Sequence, residues 1–152
     1  MQEVKKILFP TDLSDISPRL VKYVFSITQK FDAELHILFV ARMLDYFASI
    51  YVTKAAIAGF HDEVMHGADK KLDEFAKKHF KDISRCITKV VQGDAGEEII
   101  KYANENDINM IMMGTHGRKG LDRIRFGSVA GLVVRNAPVP VMIMNPYLIP
   151  DN

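Results

Sequence analysis

The 152-residue sequence has one cysteine and almost no net charge, and each scarcity excludes a class of function. Cys86 alone cannot form an intramolecular disulfide or a cysteine-based zinc site. A formal net charge of +1 gives no reason to expect sequence-independent binding to nucleic acid. No apolar run reaches the ~18 residues of a membrane span, and the N-terminus lacks a signal-peptide core. We therefore expect a cytoplasmic protein that binds neither nucleic acid nor membrane.

Several well-known site signatures are also missing. The sequence contains no GxxxxGK[ST] phosphate loop, and no GxGxxG motif follows its first strand-like run. It has no HExxH motif, no GxSxG nucleophile elbow and no Cys/His pair at metal-ligand spacing. The sequence alone therefore assigns no catalytic residue and no metal-binding residue.

What the sequence does contain is a regular alternation of strand-like and helix-like segments. Short apolar runs predict strands at 4–9, 33–41, 85–91, 108–113 and 141–144. Amphipathic periodicity predicts helices at 17–30, about 54–80, 97–105 and 128–136. Such alternation predicts a five-stranded parallel sheet that is covered by helices on both faces. Right-handed crossovers make it a doubly wound, Rossmann-like α/β sandwich, which we expect to form one domain over residues 1–152.

Three local features of these segments can also be predicted. Ser14 or Asp15 is expected to cap the first helix, and residues 93–96 are expected to form the turn before the third helix. The stretch from Met43 to Phe60 has no clean period and reads as a loop that passes into helix. It is a lid over the pocket, a surface for a partner, or a segment that packs on its own long helix.

The most informative stretch begins where the fourth strand ends. Gly114 and Gly117 are followed by nine residues and then by Gly127-Ser128, at the start of the last helix. Glycines let a ligand approach the backbone closely, and free amides at a helix start favour a bound phosphate. Sheets of this kind bind ligands beyond the carboxyl ends of their strands, where the strand order reverses. The stretch predicts an anion site; the alternative is that these glycines serve only turns.

The same residues, with others at both ends of the chain, resemble the universal stress protein family. The resemblance lies in residues 6–14 (KILFPTDLS), 111–117 (IMMGTHG), 127–129 (GSV) and 138–141 (PVPV). In that family, the pattern G-x2-G-x9-G-[ST] is associated with members that bind ATP. The resemblance implies an adenine nucleotide alpha hydrolase-like fold, with ATP or AMP as the ligand.

The resemblance also implies a role for each matching position. Asp12 would bond to the ribose or to the edge of adenine, although it could instead cap the following helix. Val40 would present backbone groups to adenine, which is compatible with plain core packing. Gly114 would lie against the ribose, and Thr11 and Met113 would line the base pocket. The phosphates would be held by amides and a hydroxyl of Gly117, Gly127, Ser128 and Val129.

The nine-residue spacer is rich in basic residues, and a histidine, His116, comes shortly before it. A titrating histidine near a phosphate is an attractive feature, but for His116 we favour a structural or phosphate-neighbour role over catalysis. Arg118, next to Gly117, is the cation that we expect to reach a phosphate. The other three cations of the spacer are interpreted as a solvated loop: Lys119, Arg123 and Arg125.

Three functions are compatible with these features. The first is a regulatory stress-response protein whose shape or partner affinity changes when ATP or AMP binds. The second is a slow ATPase or a nucleotidyl-transfer enzyme, and the third is a nucleotide-free dimeric scaffold. We favour the first because phosphoryl transfer needs a base and metal-binding carboxylates, which the sequence does not make evident. Mg²⁺ could still arrive with the phosphates, because it keeps several of its own waters.

We also expect a homodimer and, in addition, a protein partner that the sequence does not identify. The last predicted strand lies at a sheet edge and is apolar, and such an edge is a liability unless another chain covers it. Members of the resembled family pair through this strand. The residues that we expect in the interface are Val141, Met142, Ile143 and Met144.

Overall fold

The structure, a computed structural model, describes residues 3–42, 53–116 and 127–150. Strands and helices alternate along this part of the chain in the predicted order. The strands are β1 (Lys6–Pro10), β2 (Glu34–Ala41), β3 (Cys86–Gln92), β4 (Met110–Gly114) and β5 (Val141–Met144). The helices are α1 (Pro18–Phe31), α2 (Lys54–His79), α3 (Ala95–Glu105) and α4 (Ser128–Asn136).

The strands pair in parallel to form one sheet with the order β3-β2-β1-β4-β5. The chain moves outward from β1 through β2 to β3, and then returns to the far side of β1 to add β4 and β5. The strand order therefore reverses between β1 and β4. Their carboxyl ends flank the switch point, where sheets of this kind bind ligands.

Each face of the sheet carries its own buried core, because successive strand residues point to opposite faces. On one face, Ile7 and Leu35 pack with α1 and α2 through residues such as Leu72. On the other, Leu8 and Leu38 pack with α3 and α4 in a second buried cluster. Burying each such side chain contributes about 1.5–3 kcal/mol. Helices on both faces confirm the doubly wound α/β sandwich.

The predicted cap of α1 and the predicted start of α3 are wrong. Helix α1 begins at Pro18 with Ser17 at the N-cap position, so neither Ser14 nor Asp15 caps it. Helix α3 begins at Ala95, within the segment predicted as a turn, because the Asp94 carboxylate accepts a bond from the Glu97 amide at 3.1 Å. Aspartate is a strong N-cap residue, and here it starts the helix two residues earlier than predicted.

Helix α2 is long enough to extend beyond the sheet. Its 26 residues span about 39 Å at 1.5 Å per residue. His61 Nε2 lies 2.5 Å from the Oε1 atom of Gln92, the last residue of β3, so the helix begins beyond the carboxyl edge. Of the stretch from Met43 to Phe60, residues 43–52 lie outside the described residues. None of the described helices combines the length and apolar character needed to cross a membrane.

Candidate functional site

The switch point brings together the end of β1, the end of β4 and the start of α4. The backbone continues the sheet by one bond on each strand: the Thr11 amide donates to the Leu38 carbonyl at 2.9 Å, and the Thr115 amide donates to the Met144 carbonyl at 2.8 Å. Both strand ends are thereby fixed to a neighbouring strand. Thr11 and Thr115 are therefore held in defined places at the carboxyl edge.

The β1–α1 turn, residues 11–17, is organised by side chains. Asp12 Oδ1 accepts bonds from the Ser14 amide at 3.0 Å and from the Ser17 hydroxyl at 2.9 Å. Thr11 Oγ1 accepts from the Leu13 amide at 3.1 Å. The Asp12 carboxylate, predicted to bind ribose or adenine, therefore also holds the turn that leads into α1.

The β4–α4 junction, Gly114 to Ser128, is organised by backbone groups where the structure describes it. The Gly127 amide donates to the Thr115 carbonyl at 2.9 Å and so brings the start of α4 against the end of β4. A Cβ atom on Gly127 would lie 3.2 Å from that same carbonyl oxygen. A Cβ atom on Gly114 would lie 3.2 Å from the His116 carbonyl oxygen and from Leu20 Cδ1. Both glycines therefore have a packing role in the protein itself.

The start of α4 is the part of the junction suited to an anion. Gly127 occupies the N-cap position, and the first intrahelical bond runs from the Gly131 amide to the Gly127 carbonyl at 2.9 Å. The amides of Ser128 and Val129 precede that bond, so the helix supplies them with no acceptor. Ser128 is exposed and Val129 is half-buried. The Gly127 amide is already bonded to the Thr115 carbonyl. A phosphate at this helix start would therefore contact the amides of Ser128 and Val129.

His116 is held at the mouth of the junction by its neighbours. Its Nδ1 atom lies 2.9 Å from Thr115 Oγ1. Its ring lies edge-on to the Tyr147 ring, with 6.3 Å between the centroids. The half-buried imidazole is therefore positioned by protein contacts, which agrees with a structural role beside the site.

The remaining predicted site residues differ in how far the structure describes them. Thr11 and Met113 are buried, with only 8% and 5% of their surfaces exposed, so each can offer a ligand little area. Val40 is half-buried and packs against the α3–α4 core. Gly117 and Arg118 lie outside the described residues, as do the other basic residues of the spacer. Their predicted phosphate contacts stay predictions.

A second polar cluster lies far from this edge, in the amino-terminal half of β2. His36 is buried, with Nδ1 at 2.8 Å from the Tyr102 hydroxyl and Nε2 at 2.7 Å from Glu34 Oε1. Burial, with a smaller contribution from the nearby Glu34 carboxylate, raises the pKa of Tyr102. The cluster links β2 to α3 and takes no part in the switch point. Across residues 3–42, 53–116 and 127–150, no group of three or more His, Cys, Asp or Glu side chains could hold a metal ion.

Two of these features could not be predicted from the sequence. Ser17, now bonded to Asp12, was treated only as the first residue of a helix, because no motif spacing points to its hydroxyl. The His36–Tyr102 contact joins residues 66 positions apart, and a single sequence gives no signal for such a pair.

Known proteins share both the sequence and this architecture. A family model described as the universal stress protein family matches residues 3–145. Universal stress protein MJ0531 of Methanocaldococcus jannaschii is 33% identical over 145 residues, which cover 92% of this chain and 81% of that protein.

Solved structures give the same result for the fold. The structure of MJ0577, a universal stress protein from the same organism, has a TM-score of 0.81 at 26% identity and covers 99% of each chain. A universal stress protein from Archaeoglobus fulgidus, solved in complex with dAMP, has a TM-score of 0.66 at 20% identity. That match covers 93% of this chain and 98% of the other, and at this identity it supports the fold alone.

Proposed function

This chain belongs to the universal stress protein family, and from that premise we propose that it is a regulatory stress-response protein that binds ATP or AMP. One observation carries the proposal: Asp12 and the start of α4 follow the ends of the two neighbouring strands that flank the switch point. A carboxylate accepts hydrogen bonds from ribose hydroxyls or an adenine amine. A helix start favours phosphate. Together they suit the two ends of a nucleotide.

Within this proposal each part of the ligand has its own contacts. Asp12 binds the ribose or the adenine edge, Val40 offers backbone groups to the base, and Gly114 lies beside the ribose. The amides of Ser128 and Val129, with the Ser128 hydroxyl, bind phosphate. The Archaeoglobus fulgidus protein was solved with dAMP, and the adenine-nucleotide ligand class is carried to this chain only as part of the proposal. Assignment to the ATP-binding subgroup is part of the proposal, and so are the phosphate contacts of Gly117 and Arg118.

Mg²⁺ enters this proposal only with the phosphates. The described residues bring no cluster of carboxylates to the carboxyl edge, and Asp12 Oδ1 already accepts two bonds from its own turn. Phosphate oxygens and water suit Mg²⁺, which often uses few protein ligands. The same residues therefore fit a bound metal–nucleotide complex better than a metal held by protein alone.

The test is to identify what the purified protein carries and binds. Mass spectrometry of the supernatant after denaturation is expected to detect ATP or AMP, and calorimetric titration of stripped protein is expected to show one adenine-nucleotide site per chain. GTP is the matched control, because it differs only in the base. Absence of any adenine nucleotide together with no heat of binding would leave the nucleotide-free scaffold as the better description. A turnover assay on the loaded protein then separates a switch from a slow ATPase.

We also propose that the protein forms a homodimer through β5. Val141 and Ile143 pack against the α3–α4 core, whereas Met142 points to the other face and is 36% exposed. A strand at a sheet edge has backbone N–H and C=O groups that can pair with a strand of a second chain, and β5 is short and apolar. Of the four interface residues, Met142 is therefore the one that can be changed with the least damage to the monomer.

Met142→Glu is expected to shift the mass measured by light scattering from dimer to monomer, because it places a charge in the proposed interface. Ile87→Glu is the matched control: Ile87 lies on β3, the opposite edge strand, and is 42% exposed. It is expected to leave the mass unchanged. A dimer that survives Met142→Glu and dissociates with Ile87→Glu would place the interface at the other edge.

A further inference from the structure

The β1–α1 turn contains a buried hydroxyl whose hydrogen bonding is directed at the proposed ligand-binding carboxylate. We infer that Ser17 is a positioning residue that fixes the orientation in which Asp12 meets a ribose or an adenine. The inference rests on the proposed function, because it concerns the geometry of one of that site's groups. Ser17 itself is 5% exposed and donates to the half-buried Asp12, so it acts through the carboxylate.

The hydrogen bonds around Ser17 run in one direction. A carboxylate only accepts, so the single proton of the Ser17 hydroxyl is donated to Asp12 Oδ1 at 2.9 Å. Ser17 Oγ then accepts the proton of Thr11 Oγ1 at 3.1 Å, and Thr11 Oγ1 accepts from the Leu13 amide at 3.1 Å. Each hydroxyl donates once and accepts at least once. Ser14 Oγ also lies 3.4 Å from Ser17 Oγ, and because the Ser17 proton goes to Asp12, Ser14 can only donate in that contact. The chain of hydrogen bonds therefore ends on Asp12.

The backbone around Ser17 supports the same role. Serine at an N-cap position usually accepts a bond from an amide of the first helical turn. Ser17 makes no such cap bond, and its φ and ψ angles of −54° and −39° are already helical. The Ser17 hydroxyl thus bonds to Thr11 and Asp12 in the turn that precedes α1, and it does not cap the helix.

The turn is also held in a costly conformation. Leu13 has a φ of 57°, in the left-handed region that non-glycine residues disfavour by about 1–2 kcal/mol. Its side chain packs against the α1–α2 core, which offsets part of that cost. Such strain persists where the surrounding structure fixes a conformation, and it is found often at ligand sites. Here the strained residue, Leu13, lies in the turn whose Ser14 amide and Ser17 hydroxyl both donate to Asp12 Oδ1.

A mutant cycle tests the inference, with Ser14→Ala as the matched control. Ser14 donates its backbone amide to Asp12, and that bond survives the change to alanine. Ser14→Ala removes only the long 3.4 Å contact between the Ser14 and Ser17 hydroxyls, whereas Ser17→Ala removes a donor to Asp12 itself. Ser17→Ala is expected to weaken AMP binding about tenfold, the scale of one bond to a charged group, and to leave inorganic triphosphate binding within about twofold. In an Asp12→Ala background the same change is expected to have no further effect. Ser17→Thr, which keeps the hydroxyl, is expected to restore most of the affinity.

A second readout does not depend on nucleotide. In isotope-labelled protein, the carboxyl carbon resonance of Asp12 is expected to shift in Ser17→Ala and to stay in place in Ser14→Ala. Thermal melts of each variant confirm that the fold is retained. An unmoved Asp12 resonance overturns the inference whether or not a nucleotide binds. Equal losses for AMP and triphosphate, or a loss that persists without Asp12, would show that Ser17 acts only on the fold.

Discussion

The two chain segments that flank the switch point are built in opposite ways. The β1–α1 turn is held by side chains: a carboxylate and two hydroxyls of Asp12, Thr11 and Ser17 bond to one another and to nearby amides. In the described residues of the β4–α4 junction, a backbone bond joins Gly127 to Thr115, and glycines lie where the chain approaches itself closely. Substitutions that remove side-chain atoms are therefore expected to disturb the turn, whereas substitutions that add atoms are expected to disturb the junction.

The difference follows from what each segment offers a ligand. The turn presents a negative group, which suits the hydroxyls and amines of a nucleoside, and the half-buried carboxylate of Asp12 is stabilised by the donors around it. The junction presents the positive end of a helix, which suits phosphate and needs the backbone to be accessible. In the proposed site, side-chain chemistry positions the nucleoside and backbone geometry positions the phosphates.

The largest effect is expected when atoms are added to the junction. Gly127→Val would place its Cβ 3.2 Å from the Thr115 carbonyl oxygen, which is backbone and cannot move aside without opening the junction. Overpacking of this kind costs about 1–3 kcal/mol. Since it displaces the start of α4, calorimetry is expected to show ATP affinity falling by about tenfold to a hundredfold.

The matched control for that change lies one turn further along the same helix. A Cβ atom on Gly131 would lie 3.6 Å from Arg135 Nη1, the mobile end of a long side chain. Gly131→Val is therefore expected to leave ATP affinity within about threefold, because no backbone atom has to move. Similar losses in the two variants would mean that the junction is not the rigid phosphate end of the proposed site.

The same contrast explains how much could be predicted from the sequence. Hydrophobic periodicity predicted each strand and helix because burial dominates these segments, and glycine spacing identified the junction since glycine is needed where backbones approach. The turn was predicted less well: Asp12 was recognised by resemblance, but its bond to Ser17 depends on side-chain rotamers and on the left-handed φ of Leu13. A single sequence shows neither. The prediction that Ser14 or Asp15 caps α1 was wrong because Ser14 lies in the turn that Asp12 holds, and Ser17 occupies the N-cap position.

An intermediate effect is expected when atoms are removed from the turn. Asp12→Ala deletes the acceptor for the Ser14 amide and the Ser17 hydroxyl, together with the proposed contact to the nucleoside. Calorimetry is expected to show adenosine and AMP binding weakened by about tenfold to thirtyfold, the loss of a bond to a charged group. Inorganic triphosphate is expected to bind within about twofold of the wild-type affinity, because the start of α4 is untouched.

Asp12→Asn separates two roles of the Asp12 side chain: accepting the hydrogen bonds of the turn and carrying a negative charge. The asparagine carbonyl oxygen can still accept from Ser14 and Ser17, so the turn is kept while the negative charge is lost. We expect Asp12→Asn to retain the wild-type melting temperature more closely than Asp12→Ala. If both variants weakened triphosphate as much as adenosine, Asp12 would act on the whole pocket and the division between nucleoside and phosphate ends would fail.

The smallest effect is expected at Ser128, which offers a phosphate both a side-chain hydroxyl and a backbone amide. Its hydroxyl is a side-chain group, but its amide belongs to the helix start and survives Ser128→Ala. Because the hydroxyl is exposed and contributes one solvent-competed bond, ATP affinity is expected to fall only about twofold to fivefold, with adenosine affinity unchanged. Ser26→Ala, at an exposed serine within α1, controls for the general effect of alanine in a helix. A loss for ATP as large as that of Gly127→Val would show that the hydroxyl, and not the backbone, binds the phosphates, and the junction would then resemble the turn more than it differs from it.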